Sequence, residues 1–171
     1  MSRCLFAVIE AKLEDTDSAV NTFVSVKLKL VQSNTQTKKG TNPRWDEEFT
    51  FEIEQITGGL LLELHSKGLL WNKLLGALWL PLKQIPQMNI TSTMNNHIDP
   101  QVWSLLNAEV IFQNGVPIGT KTPTKHSLLT SIRFEVPNGK ICILLFHCND
   151  FTRWGVCLTT DILRLTNILR D

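Results

Sequence analysis

Residues 41–53 (TNPRWDEEFTFEI) constrain the fold more tightly than any other stretch of the chain. Proline fixes its own φ and pushes the residue before it into extended geometry, so Asn42-Pro43 turns the chain and cannot continue a helix. Beyond the turn, Trp45, Phe49, Phe51 and Ile53 occupy odd positions, and Asp46, Glu48, Thr50, Glu52 and Glu54 even ones. A period of two marks a strand with one face in the core and one in water.

The same reading extends along the chain. Residues 4–13 (CLFAVIEAKL) read as a largely buried first strand, and 14–21, with Asp15, Asp17 and Ser18, as a polar loop. Val24, Val26, Leu28 and Leu30 then alternate with Ser25, Lys27 and Lys29, which predicts a second strand with a basic outer face. Residues 33–39 suit an exposed or edge strand. Gly58-Gly59 punctuates the pattern before strands at 60–64 and 74–82, where Gly76 marks a bulge or a close approach and Pro81 ends the pairing. Residues 102–106 read as a strand, 107–126 as loop because of Gly115, Pro117, Gly119 and Pro123, and 127–136 as the last strand. Short strands at this spacing predict an all-β fold, an antiparallel eight-stranded β-sandwich.

A chain of 171 residues can bury a core without staples. A net charge of +1 and a charged fraction of 19% create no broad field for nucleic acid or an acidic membrane. The only early apolar run, 4–9, is too short for a signal core or a membrane span, so the chain is expected to be cytosolic. In that compartment Cys4, Cys142, Cys148 and Cys157 are expected to be reduced thiols. His147 and the last three cysteines lack the paired spacing of a zinc site, and Gly58-Gly59 has neither the lysine nor the helix of a phosphate-binding loop. No cofactor and no enzymatic activity are predicted.

The order of strand, acidic loop, FVSVKLKL, polar strand and TNPRWDEEFTFEI resembles the C2 domain. More narrowly, HSKGLLWNKLLGALWLPL (65–82), GTKTPTKHSLL (119–129) and RFEVP (133–137) resemble the first, N-terminal C2 domain of the Unc-thirteen (Munc-thirteen) family of synaptic vesicle priming proteins. The resemblance covers residues 1–137 and leaves 138–171 as a divergent tail. Within that tail Leu158, Ile162, Leu165 and Leu169 recur at helical spacing, where the family pattern has an acidic helical segment.

Calcium-binding C2 domains draw aspartates from two loops at one end of the sandwich, and the ion wants about 6 to 8 oxygen ligands. Here the first loop has Asp15 and Asp17 but Asn21 before the next strand, and the second, HSKGLLWNK, has lysines and no carboxylate. Calcium binding is therefore not expected, and attention turns to surfaces. Trp71, beside Leu69 and Leu70 and rimmed by Lys67 and Lys73, either tucks over one end of the sandwich or anchors a membrane or a partner. Lys27, Lys29, Lys38 and Lys39 form either a solvated face or a surface that pairs with another protein.

The resemblance implies a calcium-independent module that self-associates and binds the zinc finger of the active-zone scaffold RIM, regulating vesicle priming and exocytosis at the presynaptic active zone membrane. Carried onto this chain, the interface falls on the sheet around Lys27, Lys29 and Gln32, with Gln32 where close relatives are expected to have lysine. Lys67 and Trp71 are the further protein-binding candidates. The competing expectation is calcium-independent, peripheral docking on phospholipid.

Overall fold

The computed structural model describes residues 2–85 and 101–135. Nine strands run β1 (Ser2–Lys12), β2 (Asn21–Leu28), β3 (Val31–Asn34), β4 (Lys38–Lys39), β5 (Arg44–Ile53), β6 (Gly59–Ser66), β7 (Lys73–Pro81), β8 (Gln101–Gln113) and β9 (Val116–Glu135), with one turn of 3-10 helix at Leu82–Gln84. The antiparallel order is β3-β2-β6-β7-β8-β9-β1-β5, and β4 pairs with β2 off that path. Between β7 and β8 only Ala77 and Asn107 face each other in register, so the path folds there into two sheets. The result is an antiparallel sandwich of eight main strands.

Alternation decides what lies between the sheets. Val24, Val26, Leu60, Leu62 and Leu64 from one sheet meet Cys4, Phe6, Val8, Phe51, Ile53 and Leu128 from the other in one buried cluster. Each large side chain removed from water contributes roughly 1.5 to 3 kcal/mol. β5 follows the predicted pattern: Trp45, Phe51 and Ile53 are buried, Phe49 is half-buried, and Asp46, Glu48, Thr50 and Glu52 are exposed. β1 changes phase at Ile9, an extra residue where Val8 pairs with Thr130 and Glu10 with Leu129. Before that bulge the even positions face inward, and beyond it Ala11 and Leu13 do.

The Asn42-Pro43 turn is fastened to the end of β1. Ala11 N donates to Pro43 O at 3.0 Å and Leu13 N to Thr41 O at 2.8 Å. Trp45 Nε1 donates to Gln36 O at 2.9 Å, so the buried indole has its polar atom satisfied. Two residues later Glu47 accepts from Gln36 N, which ties the same polar segment to β5.

Three sequence expectations need correction. Leu30 does not continue the core face of β2; Leu28 pairs with Val31, leaving Lys29 (φ 52) and a fully exposed Leu30 as a two-residue hairpin. Residues 33–39 are not one strand, because Thr35 leaves the ladder between β3 and β4 and its buried Oγ1 accepts from Val24 N. Residues 107–126 are not loop. They complete a long β8–β9 hairpin whose turn, Asn114-Gly115, has both residues at positive φ (51 and 78), as a type I′ turn requires. Pro117 and Pro123 are accommodated in the projecting part of β9, past the point where β1 can pair with it. The tail 138–171 and its helical spacing lie outside the described residues.

Gly76 is both of the things its position predicted. It adjoins a register shift, since Leu64 pairs with Gly76 but His65 with Leu74. A Cβ on it would also lie 2.7 Å from Leu106 Cβ at the joint between the sheets. Gly76→Ala should therefore destabilise the protein by about 1 to 3 kcal/mol in urea unfolding, whereas unchanged stability would show that the joint can give way.

Candidate docking site

Three parts of the molecule converge at one end of the sandwich. The first is the β1–β2 loop, 13–20. The second is the β6–β7 loop, 67–72, drawn alongside it by Lys67 N donating to Asn21 O at 2.7 Å. The third is the β8–β9 hairpin. Its register places Asn107 opposite Ala77 and runs antiparallel to β7, so residues beyond Asn107 travel toward Lys73 and the second loop. On β9, residues before Ser127 likewise run past the end of β1, where Lys12 pairs with Ser127. At about 3.3 Å per residue, the hairpin passes the start of β7 by two residues, or roughly 7 Å.

Two apolar tips leave the sandwich here. Leu69, Leu70 and Trp71 are 105%, 81% and 80% exposed, so Trp71 does not tuck back over the fold. Gly68 helps hold that shape, because a Cβ at this position would collide with the Trp71 carbonyl oxygen. On the hairpin, Phe112, Val116 and Ile118 are also more than half or nearly half exposed. Exposed lysines 67 and 73 flank the first tip. Lys121 stands on the hairpin, paired with Glu109 at 3.1 Å, and its ammonium holds the Glu109 carboxyl below the usual glutamate value.

Asp15 is similarly engaged. Lys125 Nζ lies 2.5 Å from its Oδ2, and that hydrogen bond, followed by the charge itself, holds the Asp15 carboxyl below its ordinary value. Asp17 Oδ1 accepts from Ala19 N at 2.9 Å, within its own loop. Among the described residues no three histidine, cysteine or acidic side chains converge as metal ligands.

The second candidate surface is the outer face of the β3-β2-β6-β7 sheet. Lys27 and Gln32 are direct cross-strand neighbours on it, as the sequence reading requires of one surface. Lys29 instead sits in the β2–β3 turn. Because β2 starts beside Lys67 and ends at Leu28, this turn lies at the opposite end from Trp71, roughly 25 Å away at strand rise. The five predicted residues thus fall in two places, Lys27, Lys29 and Gln32 on the β2–β3 hairpin and Lys67 and Trp71 on the β6–β7 loop. Lys27 carries an ion pair on this face: its Nζ donates to Glu63 Oε2 at 2.7 Å. His65 Nε2 reaches the same oxygen at 3.1 Å, while its ring stacks on Phe23 with centroids 5.2 Å apart.

Sequence reasoning missed Glu63, Lys125 and His126. Nothing in their local pattern identifies them, because Lys27, Asp15 and Glu14, which they meet, are remote in sequence; only His65, two residues from Glu63, is local. For the hairpin tip the missed signal is Asn114-Gly115, a pair suited to a two-residue turn. Elsewhere Cys4 is buried, which pushes its thiol up to about 11 and makes it a core side chain rather than a nucleophile. Cys142, Cys148, Cys157 and His147 lie outside the described residues.

A sequence model of the C2 domain matches residues 3–102. The chain belongs to the C2 domain family. Solved structures agree on the fold. CC2D1B, which coordinates ESCRT-III activity during mitotic reformation of the nuclear envelope, is 18% identical with a TM-score of 0.54, the match covering 77% of this chain and 54% of that one. A structure of a C2 domain gives 16% identity and 0.54 over 80% of this chain and all of that one. Human GIVD cytosolic phospholipase A2 gives 14% and 0.52 over 78% of this chain and 15% of its own. This chain thus spans about half of the CC2D1B structure and a small part of the phospholipase. At these identities the likeness is one of fold alone.

The metal associated with many C2 domains does not fit the residues present. Calcium needs several converging carboxylates. At this end Asp15 is held by Lys125, Asp17 by its own loop, and the second loop offers Lys67 and Lys73.

The Glu63 cluster gives a stability prediction. The His65 hydrogen bond, ahead of Lys27, keeps the Glu63 carboxyl below its ordinary value of 4.5, against the burial that raises it. A depressed carboxyl contributes stability fully present above its unfolded value and lost as pH falls through the folded one. Glu63→Gln should therefore cost about 2 kcal/mol in urea unfolding near neutrality, and progressively less in acid. A cost independent of pH would contradict this account.

Proposed function

We propose that this chain is a calcium-independent C2 docking module, acting as a protein-interaction domain of the kind resembled in the Unc-thirteen priming proteins. The observation that carries the docking role is the loop-bearing end, where Trp71 is exposed beside lysines while Asp15 is already paired with Lys125. Such an end has an anchor of the type that dominates interfaces and needs no metal to neutralise it. The protein partner follows from the resemblance: the RIM-type zinc finger, with self-association as a second contact, at the presynaptic active zone membrane. Its proposed surface is β3 and the adjoining β2 face. Support comes from β3 being a sheet edge whose Val31 and Gln32 are exposed, next to the fully exposed Leu30. An uncovered edge strand can pair with another chain. Gln32, rather than lysine, makes that surface less basic than the resemblance implies.

A second reading is favoured by one further observation: the apolar hairpin tip emerges from the same end as Trp71. Two apolar tips with lysines near them suit peripheral docking at a phospholipid interface, because tryptophan and lysine both place a polar end in water over an apolar stem.

Calorimetric titration with RIM zinc finger and flotation with anionic liposomes separate the two. The protein reading predicts saturable heat that Gln32→Glu, opposite Lys27, reduces about tenfold or more, with no flotation at physiological salt. Flotation lost in Trp71→Ser, without heat from the zinc finger, would replace it with the phospholipid reading.

A further inference from the structure

The β1–β2 loop is held from outside as well as by its own hydrogen bonds at Asp17. It is gripped by a distortion in β9. Asn107 pairs with Pro123 and Leu105 with Ser127, so three residues of β9, Thr124, Lys125 and His126, stand opposite only Leu106. This wide bulge is built rather than slack. Thr124 Oγ1 donates to Leu106 O at 2.8 Å and accepts from His126 N at 3.1 Å. The excess length turns the next two side chains toward the β1–β2 loop. Lys125 Nζ meets Asp15 Oδ2, and His126 Nδ1 accepts from Glu14 N at 3.3 Å, across 112 residues of sequence.

The second contact differs in kind from the first. An ammonium beside a carboxylate persists across the whole physiological range, since neither group titrates there. An imidazole nitrogen accepts a hydrogen bond from a backbone N–H only while it carries no proton. Asp15 itself has φ 56, an uncommon left-handed backbone for a residue other than glycine, so the loop is bent at the point where the two contacts hold it.

We propose that Lys125 and His126 form a proton-operated latch on the β1–β2 loop: neutral His126 holds the Glu14 amide, and protonation lets it go while Lys125 keeps the loop tethered through Asp15. The charged surroundings are mixed. Glu14 and Asp15 on the loop favour the imidazolium, whereas Lys73 on β7 opposes it, and partial burial opposes it most, holding His126 below its ordinary 6.5. Lys125 is its neighbour on β9. A histidine with a depressed folded pKa contributes stability that is complete above 6.5 and is lost as pH falls through the folded value. The latch is thus closed at neutrality and opens under mild acid. Because Lys73 also roots the loop that carries Trp71, a charge arriving on His126 acts on both loops of the docking end.

Imidazole nitrogen NMR on the intact chain, with amide exchange corrected for the intrinsic pH dependence, tests this. The latch predicts the tautomer with hydrogen on Nε2, a His126 midpoint below the usual histidine value, and a Glu14 amide whose shift follows that midpoint. It also predicts that Glu14 protection drops by a factor of roughly five on protonation. In His126→Asn the side-chain carbonyl can take the same amide hydrogen without titrating, so the Glu14 transition should vanish while protection persists. A proton on Nδ1 at neutral pH in the unmutated chain, or a Glu14 amide that ignores the His126 midpoint, overturns the latch. Either readout stands even if the variant does not fold.

Discussion

The arrangement depends on how two twisted sheets are joined at one point. β7 and β8 share a single register pair, Ala77 and Asn107, and immediately beside it Gly76 lies where a methyl group would strike Leu106. That contact lets the last strand of one sheet approach the first strand of the other while the apolar faces close on each other. Hydrophobic burial supplies the stabilisation, but it is non-directional; the absent side chain at Gly76 is what gives the packing its geometry. From the same joint β8 and β9 run on beyond the core as a hairpin. The feature that closes the sandwich therefore also sets the direction in which one of its exposed tips points.

Function follows from what is left over when the core is complete. Three acidic residues at the loop-bearing end are used internally, Asp15 by Lys125, Glu109 by Lys121 and Asp17 by its own loop. On the outer sheet face Lys27 is used by Glu63. What remains uncommitted is apolar side chains with a basic rim: Leu69, Leu70 and Trp71 between Lys67 and Lys73 on one loop, and Phe112, Val116 and Ile118 on the hairpin. A domain that pairs Asp15 and Glu109 with its own lysines and leaves its aromatic and aliphatic tips in water is suited to docking without a metal. Exposed surface ion pairs contribute little to stability, so their main effect here is to consume ligands and fix loop positions.

Much of the fold was legible because half-buried strands leave a period-two trace. Residues 41–53, the inward face of β2 as far as Leu28 and the strand at 60–64 could be read directly, and so could the close approach at Gly76. Other features depended on information that periodicity does not carry. Pro117 and Pro123 look like loop residues, yet a projecting hairpin has edges that need no further partner, and the short Asn114-Gly115 turn between them specifies the pairing. Lys29 continues the alternation of β2 on paper, but the chain reverses there at positive φ. Trp71 could have been covered or exposed with the same sequence; periodicity says nothing of a loop side chain, and the structure leaves it 80% exposed. Lys125 and His126 acquire their roles from partners that the fold brings in, as Glu63 does from Lys27, and His126 meets Glu14 across most of the chain.

The central claim is that the docking end is organised by its own lysines and needs no metal. Calorimetric titration of the intact protein with calcium, followed through the amide signals of residues 14–20 and 67–72, tests it most directly. The account predicts no saturable heat and no movement of those amides into the millimolar range. Saturable binding with shifts in both loops would mean that Asp15 gives up Lys125 for the ion, and would contradict it.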